Sequence, residues 1–549
     1  MPEQANECLV DEHLSQKTEQ KGQSFLKGTA ILTAATFIVK FINIFFSIPL
    51  ANFLDDEGMG HFNTAYDIFV FFSVLASSGT PVAISRLVSV AYAQNRKREA
   101  DKIFRVAFTL FSGIGLVGCI VMAVFSRQFA MLMNQNDRSM YAIAALAPMC
   151  FFMSLSSCLR GYFQGRSNMT PTAVSQVLES LIKLFVGIAL ALYFLKTTGL
   201  PELGAAGAIL GVSIGSFFAV LYILLYYFRK SRDTRYSPFE PKVSSVDEIL
   251  KSILTFAVPV IIGSAFLSAL DIVDSSVMMY RLQGAAGVDA NSAIAMKGWL
   301  GTARKYFDLP NAVIVPISTI VLPMLSGAIA KKEKREINRI STLSLRMTLM
   351  VAIPSAAGLC IFAKPICSLL LYSRPEFAAN TAPLLAVMAP AVITASLLYT
   401  TNSMIQAVGK VYVPVINMIV GTVVRIGVVY VLCGIPEINA MGSAVGTFVS
   451  YLVMIILNLI ALHRMLPEIP SVVRMGIRPL LASVIMGAAS YPVYLLLTRF
   501  MREKFAVIPV ILLAILVYLV AAVFTKAITR EEIVQLPKGE KLADKLHLK

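Results

Sequence analysis

Ala93-Gln94-Asn95-Arg96-Lys97-Arg98-Glu99-Ala100-Asp101-Lys102-Ile103 returns 237 positions later as Ala330-Lys331-Lys332-Glu333-Lys334-Arg335-Glu336-Ile337-Asn338-Arg339-Ile340. A second echo, Ala205-Ala206-Gly207-Ala208-Ile209-Leu210-Gly211 against Ala440-Met441-Gly442-Ser443-Ala444-Val445-Gly446, has a shift of 235. Two echoes at nearly one spacing mean that a unit of roughly 240 residues was duplicated. In a hydrophobic chain this points to a two-lobed transporter that binds its cargo between the lobes.

The chain is strongly hydrophobic. Of 549 residues, 57% are hydrophobic and only 15% charged, against about 25% charged in ordinary soluble domains. Apolar runs near 20 residues recur along it, long enough to cross a hydrocarbon core of about 30 Å as helices. An all-α polytopic membrane protein of fourteen spans follows. The expected spans are 28–50, 62–93, 103–126, 139–163, 172–195, 204–228, 249–280, 300–330, 341–370, 379–408, 412–432, 440–464, 475–498 and 507–528. Six spans in each repeat is an even number, so the repeats lie parallel rather than inverted. The expected division is a tail 1–27, a first lobe 28–235, a second lobe 236–466, an added helix pair 467–528 and a tail 529–549.

Lys and Arg concentrate in loops 94–105, 229–251 and 331–339, whereas the loop containing Asp55-Asp56-Glu57 has none. This bias puts those three loops and both termini in the cytoplasm. The net charge of +16 is therefore a topology signal, and no soluble stretch is long enough for a nucleic-acid-binding domain. Cysteines 8, 119, 150, 158, 360, 367 and 433 follow neither a metal-ligand spacing nor a disulfide framework. Histidines 13, 61, 463 and 547 are scattered, and Gly409-Lys410 has Met404 where a phosphate-binding loop needs glycine. No enzyme signature or metal site is expected.

Charges inside apolar spans cost roughly 2.5–3.5 kcal/mol each on insertion scales, so each demands a reason. The basic ones are Lys40, Arg86, Lys183, Arg346 and Arg425; the acidic ones are Asp67, Glu179, Asp271 and Asp274. Arg86 and Arg346 lie near span ends, where snorkelling also explains them. Glu179 and Lys183, four apart on one helix face, read either as a self-neutralising pair or as a cargo contact. Lys40 and Arg425 are central in their spans and either line a cavity or pair with a distant acid. Asp271 and Asp274 share a face and either hold a cation or proton, or partner basic residues from other helices. Arg304, Lys305 and Asp308 stand at the entrance of span eight. The small cationic excess suits an anionic cargo such as a diphosphate. Gly79, Pro81, Pro310 and Pro316 interrupt their spans and are candidate bending points. Gly207, Gly211 and Gly215, echoed by Gly442 and Gly446, give close helix packing, within the chain or between chains.

Arg160-Gly161-Tyr162-Phe163-Gln164-Gly165, followed by Met169-Thr170-Pro171-Thr172-Ala173-Val174-Ser175-Gln176-Val177-Leu178-Glu179, resembles a signature of the stage V sporulation protein B and lipid II flippase group. That group belongs to the multidrug/oligosaccharidyl-lipid/polysaccharide exporter superfamily. Ser318-Thr319-Ile320-Val321-Leu322-Pro323-Met324-Leu325-Ser326 resembles its eighth span. The resemblance implies two six-helix lobes, a last helix pair that forms a groove for a lipid tail, and export of undecaprenyl-diphosphate-linked sugars by alternating access across the bacterial cytoplasmic membrane. It implies roles in peptidoglycan, polysaccharide or spore-wall synthesis. Lys40 occupies the place of a basic residue in span one, and Lys305 and Asp308 match a functional pair before span eight. A second span-one arginine of the family is Phe46 here. Asp271, Asp274 and Asn417 are positioned as ligands of a coupling ion, Na+ or H+. The alternative readings are a cation-coupled multidrug exporter and a non-transporting scaffold for wall-synthesis enzymes.

Overall fold

The computed structural model describes residues 31–527 apart from 33, 95, 232–242, 467–470 and 526. The expected tails, with Cys8, His13 and His547, lie outside the described residues. Among those residues there is no strand. Thirteen helices among the described residues are long and apolar enough to cross a membrane, or fourteen when one bent pair counts as a single span.

The chain divides into two compact units. One takes in residues up to 50, 64–131 and 137–269; the other takes in 51–63, 132–136 and 270 onward. The first unit contains most of α1 (Ala34–Phe53) and of α2 (Asp56–Ser77), α3 (Thr80–Ala93), α4 (Lys97–Val124), α5 (Ser126–Asn134) in part, α6 (Met140–Gly165), α7 (Thr170–Thr198), α8 (Pro201–Ser231) and the start of α9 (Val246–Gly284). Its centre is α6, which packs on α3, α4 and α8, while α7 packs on α8 and α3 on α4. Small residues Ser154, Ser156, Ser157 and Cys158 give α6 a buried face that lets neighbours approach.

The second unit holds the rest of α9, then α10 (Ala290–Phe307), α11 (Asn311–Ala330), α12 (Lys334–Ile361), α13 (Ala363–Leu370), α14 (Pro375–Met388), α15 (Ala391–Ala407), α16 (Tyr412–Leu432) and α17 (Met441–Met465). Here α15 packs on α11, α12 and α17, α16 on α17, and α11 on α12. Substituting α11, α12, α15, α16 and α17 for α3, α4, α6, α7 and α8 reproduces the packing of the first unit. The duplication seen as two short echoes is thus a duplication of helix contacts. The added pair, α18 (Val472–Leu497) and α19 (Glu503–Phe524), packs on itself and on α12 and α13.

The glycine stripes seat helices within each unit. A Cβ on Gly211 would lie 2.1 Å from the Gly187 Cα of α7, and one on Gly215 would lie 2.7 Å from the Glu179 carbonyl oxygen. In the repeat, Gly442 and Gly446 of α17 face Cys433 and Val429 of α16 and its C-terminal cap. Because the obstacle at Gly211 is backbone, Gly211→Ala must push α7 and α8 apart. We expect a loss of about 1–3 kcal/mol, read as a lower thermal midpoint of the purified protein; an unchanged midpoint would deny the close crossing.

The interruptions have different outcomes. Ser78-Gly79 separates α2 from α3, yet the two run on as one span, Asp56–Ala93. Gly79 has helical φ and ψ; what requires glycine is the Ala257 carbonyl, 2.7 Å from where its Cβ would stand. The segment expected as one span over 300–330 is two helices. Pro310 lacks the N–H that would continue the first, so α10 ends at Phe307 and α11 begins at Asn311. Pro316, expected to interrupt this segment, lies inside α11 without ending it, as does Pro323. Likewise 341–370 is α12 followed by the short α13. The expected span 379–408 is the bent pair, α14 and α15 meeting at 51°.

Candidate functional site

In the second unit, α9 places Asp271 and Asp274 three residues apart, so both face α16. Arg425 of α16 binds Asp274 Oδ2 through Nη2 at 2.7 Å and stands 4.0 Å from Asp271 Oδ1. Arg304 of α10 approaches the same Asp274 oxygen at 3.9 Å. Asp274 is buried, with a side chain 3% exposed, whereas that of Asp271 is 64% exposed. For Arg425 and Asp274 the structure has the ion pair between helices. Asn417 joins a different group. Its amide donates to Asn458 at 2.7 Å, and Asn458 in turn donates to Thr401 and Asn402. Asn417 precedes Arg425 by eight residues, about 12 Å along a helix, so the three positions named for a coupling ion form two groups.

Lys305 and Asp308 close the C-terminal end of α10. The Lys305 ammonium is buried and lies 4.7 Å from the centre of the Phe62 ring. Asp308 is exposed and accepts from the Asn311 amide at 3.3 Å. Asn311 continues the contact inward by accepting from Ser396, and above it Thr400 bridges Ser318 at 3.1 Å and Thr348 at 2.7 Å. This hydroxyl ladder ties α11, α12 and α15 together beside the α10–α11 corner. Sequence reading missed it because single Ser and Thr in apolar helices carry no pattern.

The corner also begins an apolar groove of about 400 Å³. Leu309 and Pro310 form one end. Pro354 and Gly358 of α12, and Ile511 and Tyr518 of α19, form its walls. Charged groups that end at Asp308 therefore give way within one residue to an apolar channel, to which the added pair contributes.

In the first unit, Lys40 sits half-buried in α1. Lys183 of α7 donates to Asn43 at 3.1 Å and lies 4.7 Å from the ring centre of Phe46. Position 46 has no charge of its own, but α7 delivers one beside it. Glu179 does not use Lys183 four residues on; it pairs with Arg160 of α6 at 2.9 Å and accepts from Ser216 at 2.7 Å. Arg160 is the first residue of the motif that carried the resemblance, and this half-buried bond is its work in the fold. Arg86 is exposed, with its guanidinium 4.1 Å over the Phe256 ring. Among the described residues no cluster of three His, Cys, Asp or Glu is arranged to hold a metal.

Residues 25–329, more than half of the chain, match the family described as polysaccharide biosynthesis protein. The chain belongs to this family. It is 26% identical to stage V sporulation protein B of Bacillus subtilis (strain 168) over 446 residues, 81% of this chain and 85% of that protein. It is 21% identical to lipid II flippase MurJ of the same organism over 463 residues, 80% and 82% of the two chains. Among solved structures, lipid II flippase MurJ in an inward closed conformation has a TM-score of 0.70 at 18% identity, covering 90% of this chain and 99% of that one. An inward-facing multidrug resistance MATE family transporter of the MOP superfamily has 0.65 at 17%, covering 78% and 94%. At these identities the structural likeness is one of fold, that of a multi-pass helical membrane protein.

Proposed function

We propose that the protein is a flippase, not an enzyme, that moves an undecaprenyl-diphosphate-linked saccharide from the inner to the outer leaflet of the bacterial cytoplasmic membrane by alternating access, with both termini inside. One observation carries the reading: a charged corner, Arg304, Lys305 and Asp308, is joined directly to an apolar groove. That order of chemistry is the order of the cargo, a charged head followed by a hydrocarbon tail. A diphosphate cannot cross hydrocarbon, whereas its prenyl tail never needs to leave it. With the cell interior negative, the potential favours outward movement by about 2.3 kcal/mol per charge per 100 mV. A coupling cation, Na+ or H+, would be taken at Asp271, whose carboxylate is the accessible one. The drug-exporter reading fits less well, because Asp274 is held by Arg425 and Arg304.

Depletion of the protein should make one polyprenyl-linked precursor accumulate on the cytoplasmic leaflet, and its identification names the saccharide. No accumulation, or drug sensitivity alone, would overturn the proposal. A second test uses the groove. Nothing stands within 4 Å of a Cβ built on Gly358, and Gly358 lines the groove, so Gly358→Phe starts a side chain into the channel without striking a neighbour at its Cβ and removes a helical glycine. We expect unchanged or raised thermal stability with transport reduced about tenfold, consistent with losing roughly 1.4 kcal/mol of tail binding. Full transport by this variant would separate the groove from the tail.

A further inference from the structure

The first unit contains a second charged recess, remote in sequence from the residues assigned to cargo. Arg98, Lys102 and Arg105 recur at helical spacing on one face of α4 and line a cavity of about 460 Å³, whose remaining wall is Val106, Val243 and Val246. Among the described residues, the acids next to this face in sequence have partners of their own. Glu99 is buried, pairs with Arg96 at 2.5 Å and accepts from the Ser244 hydroxyl at 2.7 Å. Asp101 is buried and accepts from the Tyr162 hydroxyl at 2.6 Å. Glu248 closes a capping box with Ser245 at the start of α9. Lys102 donates to the Ser244 carbonyl at 2.6 Å, which occupies one of the three protons of its ammonium. The same bonds pin segment 243–245 onto α4 and hold the recess open between them.

We propose that this recess binds the phosphate of an anionic phospholipid headgroup. Charge-assisted hydrogen bonds from two guanidiniums and an ammonium suit phosphate oxygens. The height is also right: the charged turns of α4 end at Arg105, and the apolar run begins with Val106. A ligand bridging the two has its phosphate among the basic residues and its glycerol and acyl chains against the valines. A free phosphate would use the three cations and leave the valine wall unused. Basic pockets between helices at the cytoplasmic face are suited to such lipids, and the charge bias of loop 94–105 places this one there. The inference rests on the membrane topology, not on the flippase reading.

The test is native mass spectrometry of the full chain released from phosphatidylcholine nanodiscs doped with phosphatidylglycerol. Each basic residue near an anionic headgroup is worth a factor of about five. Arg98→Ala/Lys102→Ala/Arg105→Ala should therefore retain roughly 100-fold less phosphatidylglycerol, while phosphatidylcholine retention is unchanged. Arg98→Lys/Arg105→Lys should keep most of it. The comparison variant Lys331→Ala/Lys332→Ala/Lys334→Ala, at the duplicated corner, should lose clearly less than the first triple variant. Equal retention by the first triple variant, or equal loss from both triples, would overturn the site. Protection from thermal unfolding by inorganic phosphate but not by phosphatidylglycerol would overturn the lipid as its source. If the triple variant does not fold, exposed Arg105→Ala alone should lose about fivefold, and no loss there would refute the proposal.

Discussion

Arg425→Ala is expected to be among the most damaging single substitutions in the second unit, at about 3–5 kcal/mol. Arg425 satisfies a carboxylate that burial has cut off from solvent: the Asp274 side chain is 3% exposed and Arg425 reaches it at 2.7 Å. Without the guanidinium, the cation left beside Asp274 among the described residues is Arg304, at 3.9 Å and with a side chain 36% exposed, too far for a hydrogen bond. The thermal midpoint should fall by on the order of 10 °C. Removing both charges together is a different experiment. Arg425→Gln/Asp274→Asn replaces the ions with groups able to hydrogen-bond each other, so most of the stability should return. Two single variants that each behave like the parent would mean that the pair does not hold α9 to α16.

Lys305→Ala should abolish most transport while leaving the protein folded. The buried ammonium faces the Phe62 ring, a contact worth about 0.5–2 kcal/mol. A hydrogen bond to a charged oxygen is worth about 1.5–3 kcal/mol, so a phosphate can draw Lys305 off the ring. Losing that bond corresponds to roughly a 10- to 100-fold drop in flipping. The folded protein should still be recovered from the membrane in parent-like amount, which separates lost transport from lost folding. Lys305→Arg should retain much of the activity, since it keeps both the charge and the reach. The readout is exposure of labelled precursor on the outer leaflet of proteoliposomes. Parent-like flipping by Lys305→Ala would remove this corner from the cargo path.

Hydrophobic run length and repetition made the fold readable, because both are properties of local sequence. They identified the spans, and the echoes anticipated helix contacts that recur between the units. What they misjudged was decided by polar residues. Asn291, Lys297, Arg304 and Lys305 make α10 too polar for a span, so run length merged its end with α11. Glu179 offered Lys183 as a partner four residues on, but α6 brings Arg160 to it across the helix packing. Nothing local distinguishes the two. Arg425 with Asp274 is a tertiary choice of the same kind, and the sequence left both readings open. The groove was expected only through resemblance, since its walls come from segments separated by up to about 200 positions.

Asp56 accepts from the Trp299 indole at 2.5 Å and binds Arg374, which also donates to the Leu54 carbonyl. Nearby, a Cβ on Gly60 would strike the Ile294 carbonyl oxygen, and one on Gly298 the Asp56 carbonyl oxygen. The corner 51–63 is thus a fitted piece of the second unit, although the ribosome makes it well over two hundred residues before α10. During synthesis this hairpin must wait, inserted but unclaimed, until α10 emerges to receive it. A polypeptide expressed from residue 236 onward would carry Trp299 and Arg374 with no counterpart. We expect such a half to be captured by quality-control proteases unless the first half is supplied beside it.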